Sequence, residues 1–408
     1  MRATMAARPD STGVRAAAPA SRPHTARRVA DIQPFEVMEV MSRAHALEAA
    51  GRSVVHMEIG EPDFTAPLPV VEAGAAAMRG GLTAYTPALG LGALRETIAG
   101  YYASRFGQRV EPGRIAVTAG ASGGLLLALA QLVDPGDELL VPDPGYPGYR
   151  HFVRTFEGVV RPLNVSAASA FQPTLETVRG AWGARTTGLL LGSPANPTGT
   201  LIDDLELRRI AEFVAARGGV LIVDEIYQGL VYERQPRTAL ELPGDVIVVN
   251  SFSKYFCMTG WRLGWVVLPE HRVRGLETLA QHLFICPSAV AQHAALAAFL
   301  PETLDVLEAR RREFARRRDF LMPRLERARL RVPAPPGGAF YLYASCAAFS
   351  DDARGFALAL LEEAAVAATP GIDFGTNDTH HYIRFAYTRG LDELGTAIER
   401  IERFCARR

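Results

Sequence analysis

"DVIVVNSFSKYFCMTGWRLGWVVLP", residues 245–269, holds two apolar runs around a turn that carries Lys254. Both runs are rich in valine and continuous rather than alternating, the pattern of strands buried on both faces. Lys254 is the only lysine in the chain; the other 43 of the 44 basic residues are arginine. Arginine matches lysine in charge and surpasses it in gripping phosphate or carboxylate through a two-pronged fork. It cannot lose its proton near neutral pH and attack a carbonyl. Lysine can, once burial or a nearby cation lowers its pKa. Lys254 is therefore a candidate covalent nucleophile. The competing reading is that arginine bias has left one lysine on the surface. The neighbours have to decide.

Working outward, similar apolar runs end in turn residues at "SVVHMEIG" (53–60), "RIAVTAG" (114–120), "DELLVPDPG" (137–145), "TGLLLGSP" (187–194) and "GVLIVDEIY" (219–227). Helix-like stretches such as "GGLLLALAQLV" and "DLELRRIAEFVAARG" lie between many of them. Strand–helix alternation predicts an α/β layer fold with a mostly parallel central sheet flanked by helices. After about residue 290 the pattern changes. "ETLDVLEARRREFARRRDFLMPRLERA" predicts a long amphipathic helix that acts as a bridge or interface. "PPGGAFYLYAS" and "HHYIRFAYT" alternate like half-exposed antiparallel strands. The expected organisation is a disordered tail over 1–30, a segment over 31–62 beside the smaller domain, a large α/β domain over 63–290 and a small α+β domain over 291–408.

The chain has 408 residues, 48% hydrophobic and 22% charged, with a formal net charge of zero. Length and composition fit two ordinary globular domains. Neutrality offers no footprint for nucleic acid or an acidic membrane. Cys257, Cys286, Cys346 and Cys405 are scattered, with no CxxC pair, as expected for reduced thiols of a cytoplasmic protein. No apolar run is long enough to span a bilayer. Residues 1–30 are rich in Ala, Arg, Ser, Thr and Pro and are assigned no function.

In open parallel sheets, ligands sit past the carboxyl ends of the strands. The runs here deliver a coherent set to those ends. "VLIVDEIY" brings Asp224 and Tyr227, and "VVNSFSK" brings Ser251, Ser253 and Lys254, with Arg262 eight residues on. "VTAGAS" brings Gly120, Ala121 and Ser122 into a helix start, whose free N–H groups suit an anion. "SPANPTG" brings Asn196 and "VPDPGYPGY" brings Tyr146. The nine histidines show no metal-ligand spacing, and the lysine lies in no phosphate-binding GxxxxGK[ST] loop. A lysine, a buried acid, an anion site, hydroxyls, an arginine and an aromatic ring suit a phosphorylated aldehyde with a basic ring nitrogen, namely pyridoxal phosphate.

These motifs resemble the class I/II aminotransferases of the fold type I pyridoxal-phosphate family. The resemblance runs from about Ile32 to the C-terminus. It rests on "IGEPDF" (59–64), "AYTPALGLGALRETIA" (84–99), "VTAGASGGL" (117–125), "PGDELLVPDPGYPGY" (135–149), "SPANPTG" (193–199), "VDEIY" (223–227), "SFSKYFCMTGWRLGW" (251–265), "PPGGAFY" (335–341) and "YIRFAYT" (382–388), in the family's order. It implies a Lys254 internal aldimine, with the released amine moving a proton between the substrate Cα and the cofactor. It implies that Asp224 pairs with the pyridinium nitrogen, Tyr227 and Asn196 bond the phenolic oxygen, and Tyr146 stacks on the ring. The backbone at Ala121 and Ser122, the Ser251 and Ser253 hydroxyls and Arg262 would hold the phosphate. Arg384 would clamp the substrate carboxylate, beside the Gly60 backbone. Tyr85 resembles a tyrosine that reaches the neighbouring subunit's cofactor, which implies a homodimer.

One branch of the family, active on aspartate or prephenate, has lysine where this chain has Ser122. A dicarboxylate substrate needs a second cation. Phe35 and "AQHLFICPSAV" (280–290) are neutral to apolar. The expected substrates are thus a neutral or hydrophobic L-amino acid, with 2-oxoglutarate or pyruvate as acceptor. A β-eliminating lyase on the same fold is the alternative. A DNA-binding regulator is disfavoured, because about 30 residues are too few for a helix-turn-helix module ahead of the domain.

Overall fold

The computed structural model describes residues 25–408. Its strands are β1 (Val55–His56), β2 (Ile115–Thr118), β3 (Glu138–Asp143), β4 (Val159–Asn164), β5 (Thr186–Gly192), β6 (Val220–Asp224), β7 (Asp245–Ser251), β8 (Gly264–Val267), β9 (Tyr341–Ser345), β10 (Val366–Ala367), β11 (Thr369–Pro370) and β12 (Tyr382–Ala386). Seven of them form one sheet in the order β2-β8-β7-β6-β5-β3-β4. Pairing from β4 through to β7 is parallel. β8 alone runs antiparallel, to both β2 and β7. Every residue of β2, β6 and β8 is buried, which explains their unbroken apolar runs.

Helices cover this sheet. Gly120–Leu132 is apolar all round because it lies in the core, against β7 and β8. Asp204–Ala216 is amphipathic and is started by Asp203, whose carboxylate accepts from the N–H groups of Leu205 and Glu206, both at 3.0 Å. The long helix Pro301–Arg327 spans 27 residues and buries Leu307, Phe314, Leu321 and Leu325. From the same helix the buried Arg317 reaches Asp63 in a two-pronged pair at 2.8 and 3.0 Å. The helix therefore fixes the loop that follows Gly60.

Four expectations need correction. β1 does not join the large sheet; it is two residues long and pairs in parallel with β10. β4 has no counterpart among the expected strands, because as an edge strand it exposes Val159 and Asn164 and so breaks its apolar run. β9 and β12 pair antiparallel as expected but are buried rather than half-exposed, since the helices Pro301–Arg327 and Ala353–Ala364 pack on them. Within the expected tail over 1–30, residues 1–24 lie outside the described part, whereas Arg27–Asp31 form a short helix. That helix is held by the surface pairs Arg28–Glu157 at 3.3 Å and Asp31–Arg154 at 2.7 Å. Among the described residues, no helix is long and apolar enough to cross a membrane.

Candidate active site

The carboxyl ends of β2, β3, β5, β6 and β7 open on a cavity of about 320 Å³. Gly60, Ala121, Ser122, Tyr146, Asn196, Asp224, Tyr227, Ser251, Ser253, Lys254, Arg262 and Arg384 all line it. Tyr85 is not among the lining residues and is 80% exposed.

Lys254 follows β7 directly. Its Nζ donates to the Gly60 carbonyl at 2.7 Å. Burial lowers its pKa to about 8. The charges of Arg384 and Arg262 act in the same direction, whereas those of Glu61 and Asp224 oppose it. Near neutral pH, part of the population therefore carries a free amine. Gly60 is needed for space, because a Cβ there would lie 2.0 Å from the Tyr341 hydroxyl.

Asp224 ends β6 and is 3% exposed. Tyr149 Oη donates to its Oδ2 at 2.8 Å and the Ile226 N–H to its Oδ1 at 3.1 Å. Burial still dominates and raises its pKa to about 6. An acid held at such cost has the character of a partner for a buried cation.

The start of the helix Gly120–Leu132 faces Arg262. Gly120 has φ +72°, and a Cβ on it would lie 2.7 Å from the Arg262 guanidinium. A Cβ on Gly264 would lie 2.8 Å from the Ala121 nitrogen. The two glycines thus let strand, helix start and guanidinium close on one spot, a cradle for an anion. Arg262 is itself left-handed at φ 52°, and its Nη1 donates to the Thr259 carbonyl at 3.0 Å. Ser251 Oγ is engaged locally: it accepts from the Ser253 N–H at 3.0 Å and donates to the Leu263 carbonyl at 3.4 Å.

Arg384 approaches from β12. Its Nη1 donates to Asn196 Oδ1 at 2.9 Å, and its Nη2 to the Glu58 carbonyl and to Thr369 Oγ1. The guanidinium lies 4.4 Å from the Tyr341 ring centroid and 4.9 Å from that of Phe374. Its Nε is buried without a hydrogen-bond partner. Tyr227 and Tyr341 join hydroxyls at 2.7 Å. Tyr146 packs edge-on to Tyr149 at 5.2 Å and faces Phe35 at 6.4 Å.

Sequence reasoning missed Tyr149, Tyr341 and Asp373, which also line the cavity. Tyr149 had a signal, since it lies three residues after Tyr146 at the start of the helix Pro147–Thr155, a spacing that returns to one face. Asp373 had none. Phe35 lines the cavity as expected, joined by Val37, but the segment 280–290 does not. There Phe284 packs into the core, while Leu283 and Ile285 point outward.

The chain as a whole has counterparts among known proteins. A family model for aminotransferases of class I and II matches residues 52–401. A (5-formylfuran-3-yl)methyl phosphate transaminase from Methanocaldococcus jannaschii is 37% identical over 381 residues, which cover 93% of this chain and 98% of its own. A valine–pyruvate aminotransferase from Mycobacterium tuberculosis is 37% identical, covering 91% of this chain and 96% of its own. The solved structure of the aspartate aminotransferase from Thermus thermophilus with maleate matches with a TM-score of 0.89 at 32% identity, over 94% of this chain and 100% of that one. The chain is an aminotransferase and belongs to the class I and II family, of fold type I.

Proposed function

We propose that the chain holds pyridoxal 5′-phosphate in this cavity and transfers the amino group of a neutral or hydrophobic L-amino acid to a 2-oxo acid such as 2-oxoglutarate or pyruvate. The observation that carries this reading is the joining of Lys254, Asp224 and Arg384 in one cavity. The cavity's donors fit the cofactor part by part. The cradle at Gly120, Ala121 and Ser122, with Arg262 and Ser253, suits a phosphate. Asp224 suits a protonated ring nitrogen, Tyr227 and Asn196 a phenolic oxygen, and Tyr146 a ring face. When bound, the cofactor supplies an aldehyde and a ring that takes up the electron pair released at the substrate Cα.

The protein's own groups do the rest. Lys254 Nζ, as free amine, is the nucleophile and then the base that accepts the Cα proton. Asp224 keeps a positive charge opposite its carboxylate. Arg384 fixes the substrate carboxylate and so aims the Cα–H bond. Its Nη1 is engaged by Asn196 alone and its Nε has no partner, which leaves donors for an incoming anion.

Substrate choice rests on charge. Among the described residues, the basic side chains lining the cavity are Lys254, Arg262 and Arg384. With the first two assigned, one cation remains, enough for one carboxylate. Phe35 and Val37 add apolar surface, and Asp373 adds negative charge. The names of the relatives span several substrates, and the charge of the lining is what supports this reading. Single-turnover rates with alanine, leucine and phenylalanine are expected to exceed that with aspartate. Aspartate being fastest by about tenfold or more, 1.4 kcal/mol in the wrong direction, would overturn this preference. Release of a 2-oxo acid without ammonia distinguishes transfer from elimination.

Two variants check the assignments. Arg384→Lys keeps the charge and loses the fork, so KM for both substrates is expected to rise by about 10–100-fold, the worth of charged hydrogen bonds. An unchanged KM assigns the carboxylate elsewhere. Gly120→Ala puts a Cβ against Arg262 at a left-handed position, so cofactor affinity is expected to fall about tenfold. Titration of the cofactor-free protein by absorbance reads this, and an unaltered Kd would place the phosphate elsewhere.

We also infer a homodimer. Leu68, Val71, Met78, Leu82 and Tyr85 are exposed on a short stretch of chain, an apolar surface that a second copy would cover. Tyr85 would then reach the partner's site. Sedimentation of the protein as a monomer at micromolar concentration would refute this.

A further inference from the structure

A second cluster of chemistry-bearing side chains lies outside the cavity. His45 and Glu48 stand three residues apart, hence on one face, of the helix Glu36–Ala49. β1 brings His56 to them. His56 Nε2 lies 3.2 Å from Glu48 Oε1, and the His45 and His56 rings are 5.6 Å apart. One ligand atom from each of the three residues falls within 4.8 Å of the others. His56 Nδ1 in turn faces Glu58 Oε1 at 2.7 Å. Glu58 is 0% exposed, and its Oε2 is buried with no hydrogen-bond partner.

A lone buried carboxylate behind an imidazole is costly. It has a recognised use, which is to fix the tautomer and orientation of a metal-binding histidine. With Nδ1–H donated to Glu58, His56 Nε2 offers its lone pair toward Glu48 and His45. Two imidazoles and one carboxylate are the ligand set of an open zinc site, with a fourth position left to water. Ligands of a tetrahedral zinc ion lie about 3.4 Å apart. His45 and Glu48 are exposed and free to close the remaining gap by side-chain rotation. Spacing in the sequence hides this set, because the fold alone brings residue 56 to residues 45 and 48.

We propose that His45, Glu48 and His56 form a binding site for a divalent transition metal ion of zinc type, with Glu58 as the residue that orients His56. The site would pin the helix Glu36–Ala49 to β1, four residues before Gly60.

The test is calorimetric titration of the full-length, tag-free holoenzyme with Zn²⁺, and with Co²⁺ for its visible spectrum. One equivalent is expected to bind, with tetrahedral cobalt absorption. His45→Ala, at an exposed position, is expected to weaken binding at least tenfold and to leave transamination unchanged. Glu58→Gln removes no ligand, yet is expected to weaken binding by about 10–100-fold. Circular dichroism establishes that each variant is folded; should Glu58→Gln not fold, His45→Ala alone decides. Mg²⁺ is expected not to compete, as a hard ion that prefers oxygen. Zinc binding that is absent, that is unchanged in His45→Ala, or that is matched by Mg²⁺ would overturn the proposal.

Discussion

Lys254→Arg is expected to abolish transamination, with kcat/KM falling by about 10⁴-fold, the upper range for loss of a positioned proton-transfer group. The substitution keeps charge and approximate length. It removes the amine proposed as the nucleophile, one that is partly free near neutral pH. Burial and the facing guanidiniums of Arg384 and Arg262 lower the Lys254 pKa to about 8. No comparable environment deprotonates a guanidinium. Lys254→Ala is expected to lose as much activity, and small alkylamines added to the medium are expected to restore part of the rate. They are not expected to rescue Lys254→Arg, whose side chain fills the place where they would act. Steady-state rates and the visible absorption of the purified variants read both effects. Activity of Lys254→Arg within about tenfold of the parent (1.4 kcal/mol) would mean that charge, rather than a free amine, is what matters at this position.

The large sheet was legible because its strands are buried on both faces, which leaves unbroken runs such as "VLIVD" at β6. The same rule misled at "SVVHMEIG". Its burial comes from packing with β10 and with the helix Leu391–Cys405, not from the large sheet. β4 escaped notice for the opposite reason, its edge position. Site residues at strand ends were legible because parallel pairing gathers strand ends along one edge. Asp224, Ser251 and Lys254 could be placed together on that ground alone. Tyr149 and Tyr341 could not. Each acts through a partner distant in sequence, Asp224 for the first and Tyr227 for the second, and those pairings exist only in the folded chain. Arg384 was found through its flanking motif, since a chain with so many arginines gives no compositional signal for one more.

Asp224→Asn is expected to separate activity from stability. With the cofactor held as proposed, the carboxylate would face a buried positive charge, and breaking such a pair costs about 3–5 kcal/mol. If about 3 kcal/mol of that is lost at the transition state, kcat falls by about 10²-fold or more. The cofactor-free protein should respond in the opposite sense. There the buried carboxylate has no cation in contact; its hydrogen bonds come from Tyr149 and Ile226, and its pKa is raised from 3.8 to about 6. A raised carboxylate pKa means that the folded state holds the proton more tightly than the unfolded state. The group is thus without effect below about pH 4. It destabilises progressively as pH rises to about 6, and fully above that. The full penalty is on the order of 3 kcal/mol at neutral pH. Asparagine carries no charge to desolvate, and the Tyr149 hydroxyl can rotate to accept from its amide. Cofactor-free Asp224→Asn should therefore unfold later than the parent in urea at pH 8 and together with it at pH 4. A variant less stable than the parent at pH 8 would show that the carboxylate is already favourably compensated in the empty site, and Asp224 would then be a structural acid rather than one held in readiness for a cation.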